Sequence, residues 1–204
     1  MTASTISPEL IKQATDFHGH WCPGLAIGIR AAEWALRDIG KAGDEEIVAV
    51  VETDACGVDA IQYLTGCTFG KGNLIYQDYG KNAFTFYRRG DGKAIRLVGR
   101  SVIDKESSQA LGRLHRKMTD EGLTADEEAE WKRIRADYSK RVMEADLEEL
   151  FELKEPTEPV PHKARILSSL VCEQCNELVM ESRTRRFQEQ TLCIPCFEGR
   201  EKRK

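Results

Sequence analysis

Two pairs of cysteines near the C-terminal end, Cys172-Glu-Gln-Cys175 and Cys193-Ile-Pro-Cys196, constrain this chain more than any other feature. Two residues between cysteines allow a tight turn that aims both sulfurs at one point, and two such turns complete a tetrahedron around a metal ion. Four thiolates suit zinc and leave no open coordination position, so the predicted site is structural. The same sulfurs would accept iron, but zinc is the expectation. The pattern predicts a small zinc-finger domain over 156–204, with short strands within 165–171 and 178–187. Pro156, Pro159 and Pro161 mark the linker that sets it off.

Seven cysteines are present in all, an odd number that fits poorly with a closed disulfide framework. No apolar run approaches the roughly 18 residues needed to cross a bilayer. The first ten residues lack a basic stretch followed by an apolar one, so no signal peptide is expected. The reading is therefore a cytoplasmic protein with no membrane contact, in which regularly spaced cysteines are metal ligands or reactive thiols. Residues 162–204 are basic on balance and the rest of the chain is acidic. Such an asymmetry permits contact with nucleic acid or an acidic partner without requiring it.

The remainder predicts an α+β architecture in two parts, 1–103 and 104–155. Ser7-Pro8-Glu9 has the form of a helix start. A second helix opens at Pro23 and places Leu25, Ile29, Ala32, Leu36 and Ile39 near a 3.6-residue period. The β-branched run 47–53 reads as a buried strand, and 58–64 suits a short helix. Strands over 74–79, 83–88 and 94–98 then form an antiparallel meander, the last two joined through Asp91-Gly92. N-terminal helices packed on a mostly antiparallel sheet are expected. Charged helical sequence follows from Asp104 to Leu153. Thr124-Ala-Asp-Glu127 has the pattern of a capping box that starts the second arm of a helical hairpin.

Three cysteines remain, and they gather with histidines. His18, His20 and Cys22 alternate, so an extended backbone would project all three to one side. Imidazole and thiolate together suit zinc, nickel, copper or iron. Cys56 lies just past a predicted strand and Cys67 just past a predicted helix, and both are candidates for the same second metal site. Asp59, one turn beyond Cys56, is a candidate to accept a proton or to orient a ligand histidine. Lys71 and Asn73, in Gly70-Lys-Gly-Asn73, offer a cation and flexible amides for an anionic cofactor group. The full phosphate-loop pattern is lacking.

These residues carry a resemblance. Phe17-His-Gly-His-Trp-Cys-Pro-Gly24, Asp54-Ala-Cys-Gly-Val-Asp-Ala-Ile-Gln62, Gly66-Cys-Thr-Phe-Gly-Lys-Gly-Asn-Leu74 and Tyr79-Gly-Lys-Asn-Ala-Phe84 resemble the formylmethanofuran dehydrogenase E-chain family. The resemblance implies an α+β N-terminal domain, a helical connection, a treble-clef-like finger and a homodimer. It also implies a metal or active site drawn from His18, His20, Cys22, Cys56 and Cys67. The pterin machinery of the parent enzyme belongs to its other polypeptides, and nothing in this chain resembles it.

Three functions compete. In the first, the N-terminal cluster binds a metal and a small-molecule substrate. Catalysis there would run through the metal, or through a thiolate of Cys22 or Cys56 whose pKa a neighbouring imidazole lowers, with Asp59 as proton acceptor. In the second, the helical hairpin and finger make a regulator or adaptor that contacts nucleic acid or RNA polymerase. In the third, the chain is an accessory or metal-delivery component of a redox-enzyme complex.

Overall fold

The computed structural model describes residues 4–202, and these divide into two compact units, one ending at Lys163 and the other beginning at Ala164. In the first unit the helix α1 (Pro8–His18) is capped by Ser7, whose hydroxyl accepts from the Leu10 amide, with proline at its first position. Gly19 ends it in the left-handed region at φ 94°, a conformation that costs glycine little. The chain turns directly into α2 (Pro23–Asp38).

That second helix is the centre of the unit. Residues on two of its faces, among them Leu25, Ile29 and Ala32 on one and Ala31, Trp34 and Ala35 on the other, are buried. Arg30 is buried with them. It bonds Glu33 at 2.8 Å and the Ala145 carbonyl at 2.7 Å, and Glu33 in turn accepts from Ser4 and Thr5. A buried charge survives only with such partners, so this pair ties the chain's start and the far end of a later helix to α2.

Beyond α2 come β1 (Ile47–Val51), α3 (Gly57–Thr65), β2 (Leu74–Tyr76), β3 (Ala83–Arg88) and β4 (Ala94–Gly99). The charged hairpin follows as α4 (Lys105–Asp120) and α5 (Ala125–Glu144), and a single turn, α6 (Leu147–Leu150), leads into β5 (Phe151–Lys154). The sheet order is β2-β1-β3-β4-β5. Only β1 and β2 run parallel, joined through α3, and the other pairs are antiparallel. The expected α+β fold is thus present, with helices on a mostly antiparallel sheet. The capping box at Thr124 is present too, both halves of it bonded. Lys117 on α4 adds a 2.6 Å bond to the same Glu127, whose carboxyl these partners hold down at about 2.

Three features depart from the sequence reading. β1 lies between β2 and β3, so the expected meander of 74–79, 83–88 and 94–98 is reduced to the β3–β4 hairpin, and β2 ends at Tyr76. Phe151–Lys154 is an edge strand on β4, not the tail of a helix. Phe151 is buried against Trp34 at a ring distance of 6.3 Å, and the strand's short, charged remainder suits an exposed edge. The proline-rich stretch is also less free than a linker. Val160 packs on Val48, Val50 and Tyr87. The Tyr87 hydroxyl donates to the Glu158 carbonyl at 3.2 Å, and Arg89 donates to the carbonyls of Pro161 and His162. Prolines have no N–H to donate, so carbonyls of the segment lack partners within it and side chains from the sheet can hold it as a strap. β1 is therefore buried on both faces, which accounts for its unbroken β-branched run.

The second unit is small. A hairpin of β6 (Ser169–Val171) and β7 (Leu178–Met180) is followed by a 3₁₀ turn, a second hairpin of β8 (Thr184–Phe187) and β9 (Gln190–Cys193), and the helix α7 (Ile194–Glu201). Its apolar centre is Leu192 with Val179, Phe187 and Phe197 around the cysteines.

Helices α2 and α3 cross at a point where neither tolerates a side chain. A methyl group on Gly28 would overlap the backbone of Gly57, and one on Gly24 would stand 3.2 Å from Cys56 Cβ. Replacing Gly28 by Ala is expected to destabilise the protein by about 2 kcal/mol or more through overpacking. Gly70→Ala, where nothing lies within 4 Å of the new methyl, is expected to change stability little. Urea unfolding midpoints of the two variants measure the difference.

Candidate metal centres and the adjoining cleft

The α2–α3 crossing carries a cysteine at the start of each helix. Cys22 is the N-cap of α2, its sulfur accepting from the Leu25 amide at 3.3 Å. Cys56 stands at the start of α3 and makes no side-chain cap bond, so its thiol is available. His18 is the last residue of α1, and the left-handed turn at Gly19 folds His20 back until the two rings lie 4.5 Å apart. One ligand atom from each of His18, His20, Cys22 and Cys56 lies within 4.8 Å of the others. The three residues of the His-x-His-x-Cys stretch therefore converge through helix end, turn and helix start. The extended alternation expected from the sequence is absent, because α1 continues through His18.

The donor set fits a metal ion. Burial and the adjacent Cys22 sulfur push the Cys56 thiol up, the mark of two sulfurs that need a cation before both ionise. His18 Nδ1 lies 2.7 Å from Asp59 Oδ2, while its Nε2 is 4.0 Å from Cys22 Sγ. A carboxylate on one ring nitrogen fixes the tautomer that leaves the other nitrogen free to coordinate. Asp59 also accepts from Gln62 at 3.4 Å, and Gln62 accepts from the Phe69 amide at 3.2 Å. A chain of polar contacts thus runs from the 66–73 loop to His18.

Cys67 is not brought to this set. Its thiol is fully buried in the main apolar core and donates to the Ile47 carbonyl at 3.6 Å, and burial pushes its pKa up. Lys71 and Asn73 are likewise turned to the chain itself. The buried Asn73 amide donates to the carbonyls of Asp44 and Ile47 and accepts from the Thr68 amide, and Lys71 reaches the Asp44 carbonyl at 3.3 Å. Asn73 is a bracket between two loops. A buried asparagine after a glycine turn gave no sign in the sequence of which groups it would bond.

A cleft of about 400 Å³ opens beside the cluster. His18, Cys56 and Asp59 form its inner end, Val51 and Leu74 its apolar wall, and Asp54 adds a carboxylate. Phe69 and Tyr76 line it while remaining largely exposed. These two aromatics escaped the sequence reading, since only the parallel pairing of β2 with β1 carries Tyr76 to the strand ends where Cys56 stands.

In the second unit, ligand atoms of Cys172, Cys175, Cys193 and Cys196 also lie within 4.8 Å of one another. The turn after β6 supplies the first pair, and the junction of β9 with α7 supplies the second. Backbone amides, first those of Cys175 and Cys193, hold the Cys172 thiol down at about 6. Its three sulfur neighbours and burial push Cys196 up to about 12. Four sulfurs so close cannot all ionise without a cation among them. Among the described residues, no helix is long and apolar enough to cross a membrane.

Comparison with known proteins agrees with this layout. Residues 165–202 match the prokaryotic dksA/traR C4-type zinc finger. A protein of Archaeoglobus fulgidus called a probable S-adenosyl-L-methionine-binding protein is 34% identical over 92% of this chain, which spans about half (52%) of that relative's length. The crystal structure of an FmdE-like protein of the tungsten formylmethanofuran dehydrogenase type, from Syntrophus aciditrophicus, superposes with a TM-score of 0.60 at 26% identity, covering 100% of both chains. Residues 17–152 match the family described as FmdE, molybdenum formylmethanofuran dehydrogenase operon, and the chain belongs to that family.

Proposed function

We propose that the first unit is a metal-dependent domain that holds a divalent ion on His18, His20, Cys22 and Cys56 and presents it to a small substrate in the adjoining cleft. The observation that carries this reading is the Asp59–His18 contact of 2.7 Å, made on the ring nitrogen remote from the cysteines. His18, Cys22 and Cys56 are wholly or partly buried, whereas His20 is exposed. Three anchored donors and one at the solvent edge resemble a catalytic arrangement, which keeps one position exchangeable. A metal bound there would supply Lewis acidity toward a substrate oxygen or an activated water. The chain's own residues do the rest: Asp59 holds the His18 ring, Val51 and Leu74 exclude water, and Phe69 and Tyr76 offer flat faces to a ligand. The second unit, with four thiols and no exchangeable donor, is read as structural zinc. Association with a redox-enzyme complex, homodimer assembly and a cytoplasmic location are inferred from the family and the cysteine usage.

A second reading follows from the exposed aromatics and the carboxylates that share the cleft. A sulfonium cation such as S-adenosyl-L-methionine is attracted to such a surface, in keeping with the name of the Archaeoglobus relative. Calorimetric titration with that compound decides this point. Saturable binding lost in Phe69→Ala and Tyr76→Ala supports it, and an absence of binding removes it.

The metal reading is tested by metal content on anaerobically purified protein. About two ions per chain are expected, falling to about one in Cys22→Ala and, separately, to about one in Cys175→Ser. Cys175→Ser is also expected to abolish amide-exchange protection in 165–202 and leave the first unit protected. Asp59→Asn is expected to retain its fold and weaken the N-terminal metal by about 10- to 100-fold. An N-terminal content unchanged by Cys22→Ala would sink the proposal.

A further inference from the structure

A smaller cavity of about 260 Å³ adjoins Cys22, between the start of α2 and the helix α5. Its walls are Trp21, Cys22 and Pro23 on one side and Trp131, Lys132 and Arg135 on the other. The chemistry is opposite to that of the metal-side cleft, with cations and indoles in place of carboxylates.

Arg135 is the informative group. Its guanidinium lies 5.2 Å from the Trp131 ring centre and makes no ion pair among the described residues. Its neighbours on the hairpin behave differently: Lys132 contacts Glu128 at 3.6 Å, Arg133 contacts Asp137 at 3.4 Å, and Arg113 contacts Glu130 at 3.4 Å. Trp131 is in turn stacked on His115, with centroids 6.2 Å apart and planes within 17°. The guanidinium thus stands over a braced aromatic ring, and its donors make no ion pair among the described residues. Across the cavity stands Trp21, 41% exposed, an unusual amount for an indole that has a large apolar surface to bury.

We infer that this cavity binds a small anion carrying a flat ring, an aromatic carboxylate or phosphate, with its charge on Arg135 and its ring against Trp21. A guanidinium presents a planar fork of donors that matches either acid group. The Trp21 indole adds dispersion and excludes water from the charge pair. The volume suits one ring with its acid group, since pockets for larger ligands start near roughly 300 Å³. The inference is independent of the metal reading: Cys22 serves here only as a wall.

The test titrates phenyl phosphate and benzoate into the metal-loaded protein and follows heat and tryptophan fluorescence, with benzylamine as the cationic isostere. Saturable binding of either anion with quenched emission is expected, and the tighter of the two identifies the acid group. Arg135→Gln is expected to weaken it about tenfold or more, with circular dichroism and metal content unchanged, while Arg135→Lys recovers part of the loss. Affinity is also expected to fall as sodium chloride rises. Equal binding of benzylamine, unaltered affinity in Arg135→Gln, or no saturable signal for either anion would overturn the inference.

Discussion

The close approach of α2 to α3 is the constraint on which the first unit depends. Gly28 and Gly57 bring two helix backbones nearer than any side chain permits, and the contact sits close to the starts of both helices. The cysteines at those starts are consequently neighbours. Apolar packing on one side of the crossing, through Leu25, Ile29, Ala60 and Leu64, holds the geometry with no bond between the sulfurs. On the opposite face of α2 the buried Arg30–Glu33 pair anchors the incoming chain and the end of α5. Removing either partner would strand a charge in the core. The helix that carries Cys22 is therefore fixed from both sides.

The two candidate metal centres of this protein differ in kind. In the second unit all four donors are sulfurs offered by two tight turns of one short segment, and local geometry suffices to assemble them. In the first unit the donors come from the end of α1, the turn after it, the start of α2 and the start of α3. Tertiary packing must bring them together, and it also supplies Asp59 behind His18. A cleft with carboxylates and aromatics opens beside His18 and Cys56, while cations and indoles line a cavity beside Cys22. The domain thus surrounds one small cluster with two surfaces of opposite chemistry.

Much of the fold was legible from residues in order. Ser7-Pro8 and Thr124 to Glu127 cap helices as their side chains dictate, and the β-branched run at 47–51 is the strand it resembles. The strand Phe151–Lys154 was not legible, because four residues after a helix carry too little periodicity to reveal a partner more than 50 residues upstream. The strap at 158–162 was hidden for a similar reason: prolines announce the lack of helix, but only Tyr87 and Arg89 determine where the segment is held. Cys67 looked like a ligand by its place after a helix, yet its thiol is turned into the core.

By itself the amino-acid sequence determined what depends on neighbours along the chain. The four-cysteine spacing, the helix caps and the grouping of His18, His20 and Cys22 belong to that class, since turns and caps are made within a few residues. Only the tertiary structure decided which cysteine joins the histidines, which carboxylate stands behind His18, and which arginines of the charged hairpin are left without an ion pair among the described residues. Those choices depend on distances across elements far apart in sequence. The first of them was settled by two glycines, whose lack of side chains lets α2 and α3 touch.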